Sequence, residues 1–98
     1  KDLARIDGRL PGFGSRCYAG MAQGPTAPAI QRLIDAGAII IGMTNMVEFA
    51  SGGWGTNYAV GTPWNPIDRN VHRVPGGSSS GSAVAVAADL APAAIGSD

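Results

Sequence analysis

Between Pro75 and Ala83 the chain reads Gly76-Gly77-Ser78-Ser79-Ser80-Gly81-Ser82, and an apolar stretch follows from Ala83 to Ala88. Serine hydroxyls in a glycine-rich loop at the head of a helix have several chemical uses. Backbone N–H groups at a helix N-terminus bind anions, so phosphate is the first candidate. The spacing from Gly76 to Gly81 fits the Walker A frame, but Ser82 stands where that frame needs a lysine for the β/γ-phosphates. The same run fits a Gly-x-Ser-x-Gly nucleophile elbow with Ser79 as nucleophile. An elbow needs a strand directly before it, which Val74-Pro75-Gly76 does not supply, and a histidine after it, whereas His72 precedes it. A non-catalytic anion-binding loop and a flexible Gly/Ser linker are the bland alternatives. By composition alone the linker stands level with the chemical readings together, because such tracts are so often linkers.

Few other residues carry chemistry. Lys1 is the only lysine, and taken by itself it reads as a solvated surface group. Cys17 is the only cysteine, which leaves no internal disulfide and no thiolate metal cluster. With nothing basic fixed beside it, Cys17 reads as a small buried hydrophobe rather than a reactive thiol. His72 reads as a loop residue. Trp54 and Trp64 suit either a pocket wall or packing beneath the long loop between Ser51 and Pro66.

The elements that must position these residues alternate in type. Lys1 to Met21 is punctuated by Gly and Arg, lacks a sustained period, and reads as loop. Thr26 is placed as a helix N-cap, with Pro28 in the first turn, where proline is tolerated. Ile30, Leu33 and Ile34 form one apolar stripe at helical spacing, and Gly37 closes the helix in the C′ position. Ala38 to Ile41 is a β-branched run expected as a strand buried on both faces. Thr44 to Phe49 has room for one helical turn. The Gly-, Asn- and Pro-rich loop from Ser51 to Pro66 is long enough to be functional. Ala83 to Ala88 predicts a buried helix that Pro92 ends, and Ala93 to Ser97 a second buried strand. Helix, turn and buried strand in succession predict an α/β fold.

Composition narrows the classes further. The chain of 98 residues has a formal net charge of zero with no basic cluster, which argues against an electrostatic nucleic-acid or membrane-surface partner. Its longest apolar run is far too short to span a bilayer. Lys1 leads into mixed polar sequence with no secretory signal, so a cytoplasmic setting is the expectation. Charged residues make up 14% of the chain, against roughly 25% in ordinary soluble domains. That balance suits the buried middle of a larger α/β enzyme, and the chain is expected to be an excerpt, truncated at both ends.

The stretch Pro75-Gly76-Gly77-Ser78-Ser79-Ser80-Gly81-Ser82-Ala83, running into Ala94-Ile95-Gly96-Ser97-Asp98, closely resembles the signature of the amidase signature family. Lys1-Asp2, the turn Ala36-Gly37-Ala38-Ile39-Ile40-Ile41-Gly42, Thr44 to Ala50 and Thr62-Pro63-Trp64-Asn65-Pro66 resemble family segments in the same order. Met43 departs from the lysine common after the strand, and Ser80 from the glycine common at its place. The resemblance implies a mixed central β-sheet flanked by α-helices, of which residues 1–98 form a partial domain.

It also implies amide hydrolysis by a Ser–cis-Ser–Lys triad. By position Lys1 matches the base and Ser78 the bridging serine, with a cis peptide bond before it at Gly77–Ser78. The nucleophilic serine is implied to lie beyond Asp98, in a Thr-Gly-Gly-Ser stretch. The segment Ala50, Ser51, Gly52 and Gly53 is implied to lie beside the substrate, with Ser79 close to the triad. A serine hydroxyl is a poor nucleophile until a base takes its proton. Lysine can do so only when neutral, and its unperturbed pKa is about 10.4, so the site must be dry and poor in carboxylates. No metal and no organic cofactor are implied. The implied partner is a small-molecule amide, with no membrane and no nucleic acid, and a homodimer of the full-length parent is compatible with it. The alternative is the A subunit of a tRNA-dependent glutamine amidotransferase. Ser51 to Asn57 differs from what that protein carries, which tilts the reading towards a stand-alone amidase.

Overall fold

The computed structural model describes residues 1–18 and 24–97. Met21, the expected end of the first loop, and Asp98 lie outside the described residues. Two α-helices stand among them, α1 at Pro28–Asp35 and α2 at Ser80–Ala87, with 3-10 turns at Arg16–Tyr18 and Glu48–Ala50.

Helix α1 starts and ends for different reasons. Its N-cap is Ala27, without a side-chain cap, and proline sits in the first turn. Thr26 does not cap it, because its Oγ1 instead accepts the Asp7 N–H at 3.0 Å. At the other end Gly37 takes φ +94, and its N–H donates to Ile34 O while Ala38 N–H donates to Leu33 O, both at 2.9 Å. This paired closure satisfies the last carbonyls and needs a residue free to be left-handed, as glycine is. Ile30 is buried, whereas Leu33 and Ile34 each remain 37% exposed.

Helix α2 begins three residues earlier than the apolar run, since the serines take up its first turn. It closes in the same way as α1, with Asp89 at φ 56 and Leu90 N–H donating to Ala85 O at 2.9 Å. The helix therefore stops before Pro92 is reached.

No β-strand occurs among the described residues, so the expected mixed sheet is not seen. Ala38 to Ile41 and Ala93 to Ser97 carry no regular secondary structure and join no ladder. The reason is physical: a strand is defined by hydrogen bonds to a neighbour, and among the described residues neither run has such a ladder. Their apolar faces are uncovered, with Ile39 86% and Ile41 73% exposed. A hollow of about 750 Å³ opens between the two runs, lined by Ile6, Ile30, Ile40, Leu90 and Ile95 among others. No helix among the described residues is long and apolar enough to cross a membrane.

Polar side chains outnumber apolar ones in the described interior. Pro11, Ile30, Met46 and Val47 are buried beside Lys1, Ser15, Asn57, Ser78, Ser80 and Ser82. The fold is thus organised around hydrogen-bonded groups. Asn57 is one such centre: its Nδ2 donates to Gly14 O at 2.7 Å and to Met46 O at 2.8 Å, and its Oδ1 accepts from Ala59 N at 2.8 Å and Val60 N at 3.0 Å. Cys17 is exposed rather than buried, in a 3-10 turn with no buried residue.

Candidate active site

The residue numbers at the second polar centre are far apart, and backbone contacts bring them together. Asp2 N–H donates to Thr44 O at 3.0 Å, and the α-nitrogen of Lys1 donates to Ile95 O at 3.1 Å. The start of the chain is therefore pinned between Thr44 and Ile95. The serine loop is tied to the segment after the first run by Val47 N–H donating to Ser78 O at 3.0 Å and by Gly81 N–H donating to Asn45 O at 2.9 Å. A Cβ on Gly81 would lie 2.5 Å from Asn45 N, so only glycine lets the helix approach this closely.

Side chains complete the arrangement. Ser82 Oγ donates to Ile95 O at 2.8 Å and lies 2.7 Å from Thr44 Oγ1. With its one proton spent on Ile95, the Ser82 hydroxyl accepts from Thr44, and α2 is stapled to both of these segments.

Lys1 and Ser78 come together directly. The Lys1 Nζ donates to Ser78 Oγ at 2.6 Å, and both residues are buried, with 6% and 9% exposure. Nζ also donates to Ser97 Oγ at 2.7 Å and to Ser97 O at 3.3 Å. The Gly77–Ser78 peptide bond is cis. A buried amine in contact with a buried hydroxyl can pass a proton along that contact, because geometry precedes every other requirement for acid–base chemistry.

The segment from Ala50 to Gly53 borders this loop. Phe49 and Ala50 both take positive φ, 50 and 59, which turns the chain sharply after Glu48–Ala50. Ala50 is half-buried, while Ser51, Gly52 and Gly53 are exposed. Ser51 and Gly52 line a hollow of about 370 Å³ with Val47, Glu48, Trp54 and Gly55. Gly77 packs on its rim: a Cβ there would lie 2.9 Å from Gly52 O and from Gly55 N and Cα. Trp54 thus lines a hollow, while Trp64 stacks on His72 with ring centroids 4.3 Å apart.

Ser79 sits beside the Lys1–Ser78 pair and turns elsewhere. Its Oγ donates to Ser97 O at 3.0 Å and accepts the Ser97 N–H at 3.0 Å. No strand precedes it, and His72 is occupied by Trp64 and by Pro63 O at 3.4 Å. Neither requirement of a nucleophile elbow is met. Ser80 is fully buried, and its Oγ has no hydrogen-bond partner. The residue that sequence reasoning misses is Ser97, which lies inside the signature yet reads there only as the end of a strand.

An amidase family model matches residues 1–98. The chain is 52% identical over 98 residues to the A subunit of the glutamyl-tRNA(Gln) amidotransferase of Deinococcus deserti, covering all of this chain and 20% of that one. It is 48% identical over 100 residues to Amidase 1 of Arabidopsis thaliana, covering 23% of that protein. Among solved structures, a vestigial complex bearing on the origins of an s-triazine catabolic enzyme superposes with TM-score 0.83 at 39% identity, over 91% of this chain and 19% of that one. A crystal structure of an amidase superposes with TM-score 0.75 at 41% identity, over 88% of this chain and 19% of its own. The chain belongs to the amidase signature family. It spans about a fifth of the length of the curated relatives it matches.

Proposed function

We propose that the chain serves within a longer amidase that hydrolyses a carboxamide to a carboxylate and ammonia or an amine. The observation that carries this reading is the buried contact of 2.6 Å between Lys1 Nζ and Ser78 Oγ. In it, neutral Lys1 takes the Ser78 proton while Ser78 takes the proton of a nucleophilic serine beyond Asp98. The serine oxygen then bonds to the substrate carbonyl carbon. As the C–N bond breaks, the proton returns through Ser78 to the leaving nitrogen, and water later cleaves the acyl-enzyme. Ala50, Ser51, Gly52 and Gly53 flank the substrate in this reading, and the runs Ala38 to Ile41 and Ala93 to Ser97 pair as strands with the rest of the sheet. The chain by itself would be inactive, having no nucleophile.

Acylation of the full-length enzyme by a serine-directed fluorophosphonate tests the proposal. Lys1→Ala should abolish acylation with the fold retained, and Ser78→Ala should lower its rate by about 10²–10⁴-fold. Ser79→Ala should be milder. If Ser79→Ala abolished labelling while Ser78→Ala left it intact, the assignment would be wrong.

A second reading is the A subunit of an amidotransferase, favoured by the 52% identity to that protein in Deinococcus deserti. Ammonia release from a simple amide by the protein alone supports the stand-alone enzyme. Turnover that requires partner chains and charged tRNA supports the transferase.

A further inference from the structure

Resting on the amidase reading above, we propose that the hollow of about 370 Å³ beside Gly77 is a subsite for an organic ammonium group borne by the amide substrate. Its size lies within the roughly 300–1,000 Å³ of small-molecule sites. Glu48, Trp54 and Tyr58 line it. Trp54 is 72% and Tyr58 98% exposed, so both rings stand open to a ligand instead of packing inward. Among the described residues no Lys, Arg or His lines the hollow, and none pairs with the Glu48 carboxylate. The wall therefore offers one negative charge and two aromatic rings, with no cation of its own. An alkylammonium group gains from both: the ring faces attract it through their quadrupoles, and the carboxylate neutralises its charge. A phosphate or carboxylate would be repelled by Glu48, and a neutral alkyl group would gain contact area alone.

The floor of the hollow is built by the fold. Val47, Gly55 and Asn57 are buried there. Asn57 gives its amide hydrogens to Gly14 O and Met46 O, and its side-chain oxygen accepts from Ala59 and Val60. These atoms are committed, so Asn57 shapes the floor and leaves the charge to Glu48. The Asn57 N–H donates to Thr62 Oγ1 at 2.9 Å, which closes the loop that carries Tyr58. Gly55 takes φ +82, and a Cβ there would strike Gly76 O and lie 2.7 Å from Pro75 Cγ. That close approach seats the Trp54 end of the loop on the residues that lead into Ser78. Ser51 and Gly52, which flank the substrate in the amidase reading, line the same hollow. A cation held there is thus part of the molecule whose amide bond is cut.

The full-length enzyme is titrated calorimetrically with choline and with the isostere in which carbon replaces its charged nitrogen. Choline should bind about tenfold more tightly, the scale of a cation held by aromatic faces beside a carboxylate. Glu48→Gln and Trp54→Leu should each remove most of that preference. Thermal unfolding checks each fold first, and Trp54→Phe, with a weaker ring face, replaces Trp54→Leu if the latter does not fold. Equal binding of the two probes, or a preference that survives in both variants, overturns the subsite. Amides ending in an ammonium group are then compared, over a range of chain lengths, with their methyl-ended isosteres. At the best length the cationic amide should have a kcat/KM about tenfold higher, and Glu48→Gln should erase that advantage. An advantage that Glu48→Gln leaves untouched, or none at any length, overturns the link to the substrate. Lys1→Ala separates this proposal from the reading beneath it, since that enzyme should hydrolyse nothing yet still prefer choline. Hydrolysis that survives Lys1→Ala overturns the amidase assignment of Lys1, whereas a missing choline preference overturns the subsite.

Discussion

Replacing Gly77 by alanine tests whether the serine loop is set by its contact with the loop at Gly52 to Gly55. The new Cβ would lie 2.9 Å from Gly52 O, Gly55 N and Gly55 Cα, where ordinary contact begins at 3.4 Å. All three are backbone atoms, so no side chain can swing away, and the loops must part by about half an ångström. Overpacking of this kind costs about 1–3 kcal/mol. The serine side of the contact is the one free to yield only by disturbing Ser78, whose carbonyl is tied to Val47 at 3.0 Å. A half-ångström retreat stretches the Lys1–Ser78 contact of 2.6 Å towards the outer edge of hydrogen-bonding range. If 1 Å of misplacement is worth about 10²-fold, half of that is worth roughly tenfold. The expected result is a tenfold slower fluorophosphonate acylation together with the loss of stability, read by denaturant unfolding of the full-length enzyme. Gly76→Ala is the companion variant, since its φ of +77 meets no atom within 4 Å. It should carry only the left-handed strain of about 1–2 kcal/mol and leave acylation intact. A Gly77→Ala enzyme with wild-type stability and rate would refute the steric reasoning.

Other consequences are as direct. Asn57→Ala would strip partners from two carbonyls and two amides, at a cost of roughly 2–4 kcal/mol measured by chemical denaturation. Gly81→Ala should destabilise although alanine is the better helix former, because its Cβ would strike the Asn45 backbone at 2.5 Å. The Asp68 carboxylate accepts the Asn70 and Val71 N–H groups and pairs with Arg73, which together hold its pKa below the ordinary 3.8. Its folded-state pKa being depressed, the order it lends residues 68–73 is present above the unfolded value and lost as pH falls through the folded one. NMR titration of the Asn70 and Val71 amides should show a midpoint below 3.8.

Local sequence determined those features whose cause is local. Gly37 ends α1 because glycine takes the left-handed C′ conformation at the least cost, and that preference is written at one position. The signature run, with its flanking segments in order, carried the family and marked Lys1 and Ser78. Burial and pairing are not local properties. Thr26 has the chemistry of a cap, yet its hydroxyl went to Asp7, a competitor 19 residues away. Cys17 has the composition of a buried residue but sits exposed, in a turn with no buried residue. The two apolar runs have strand sequences, and a ladder needs a neighbour that no single run encodes. Above all, the contact of Lys1 with Ser78 and Ser97 spans 77 and 96 residues. No period of a helix or strand reaches that far. Only the docking of Asp2 on Thr44, and of Lys1 on Ile95, put one amine between two serines.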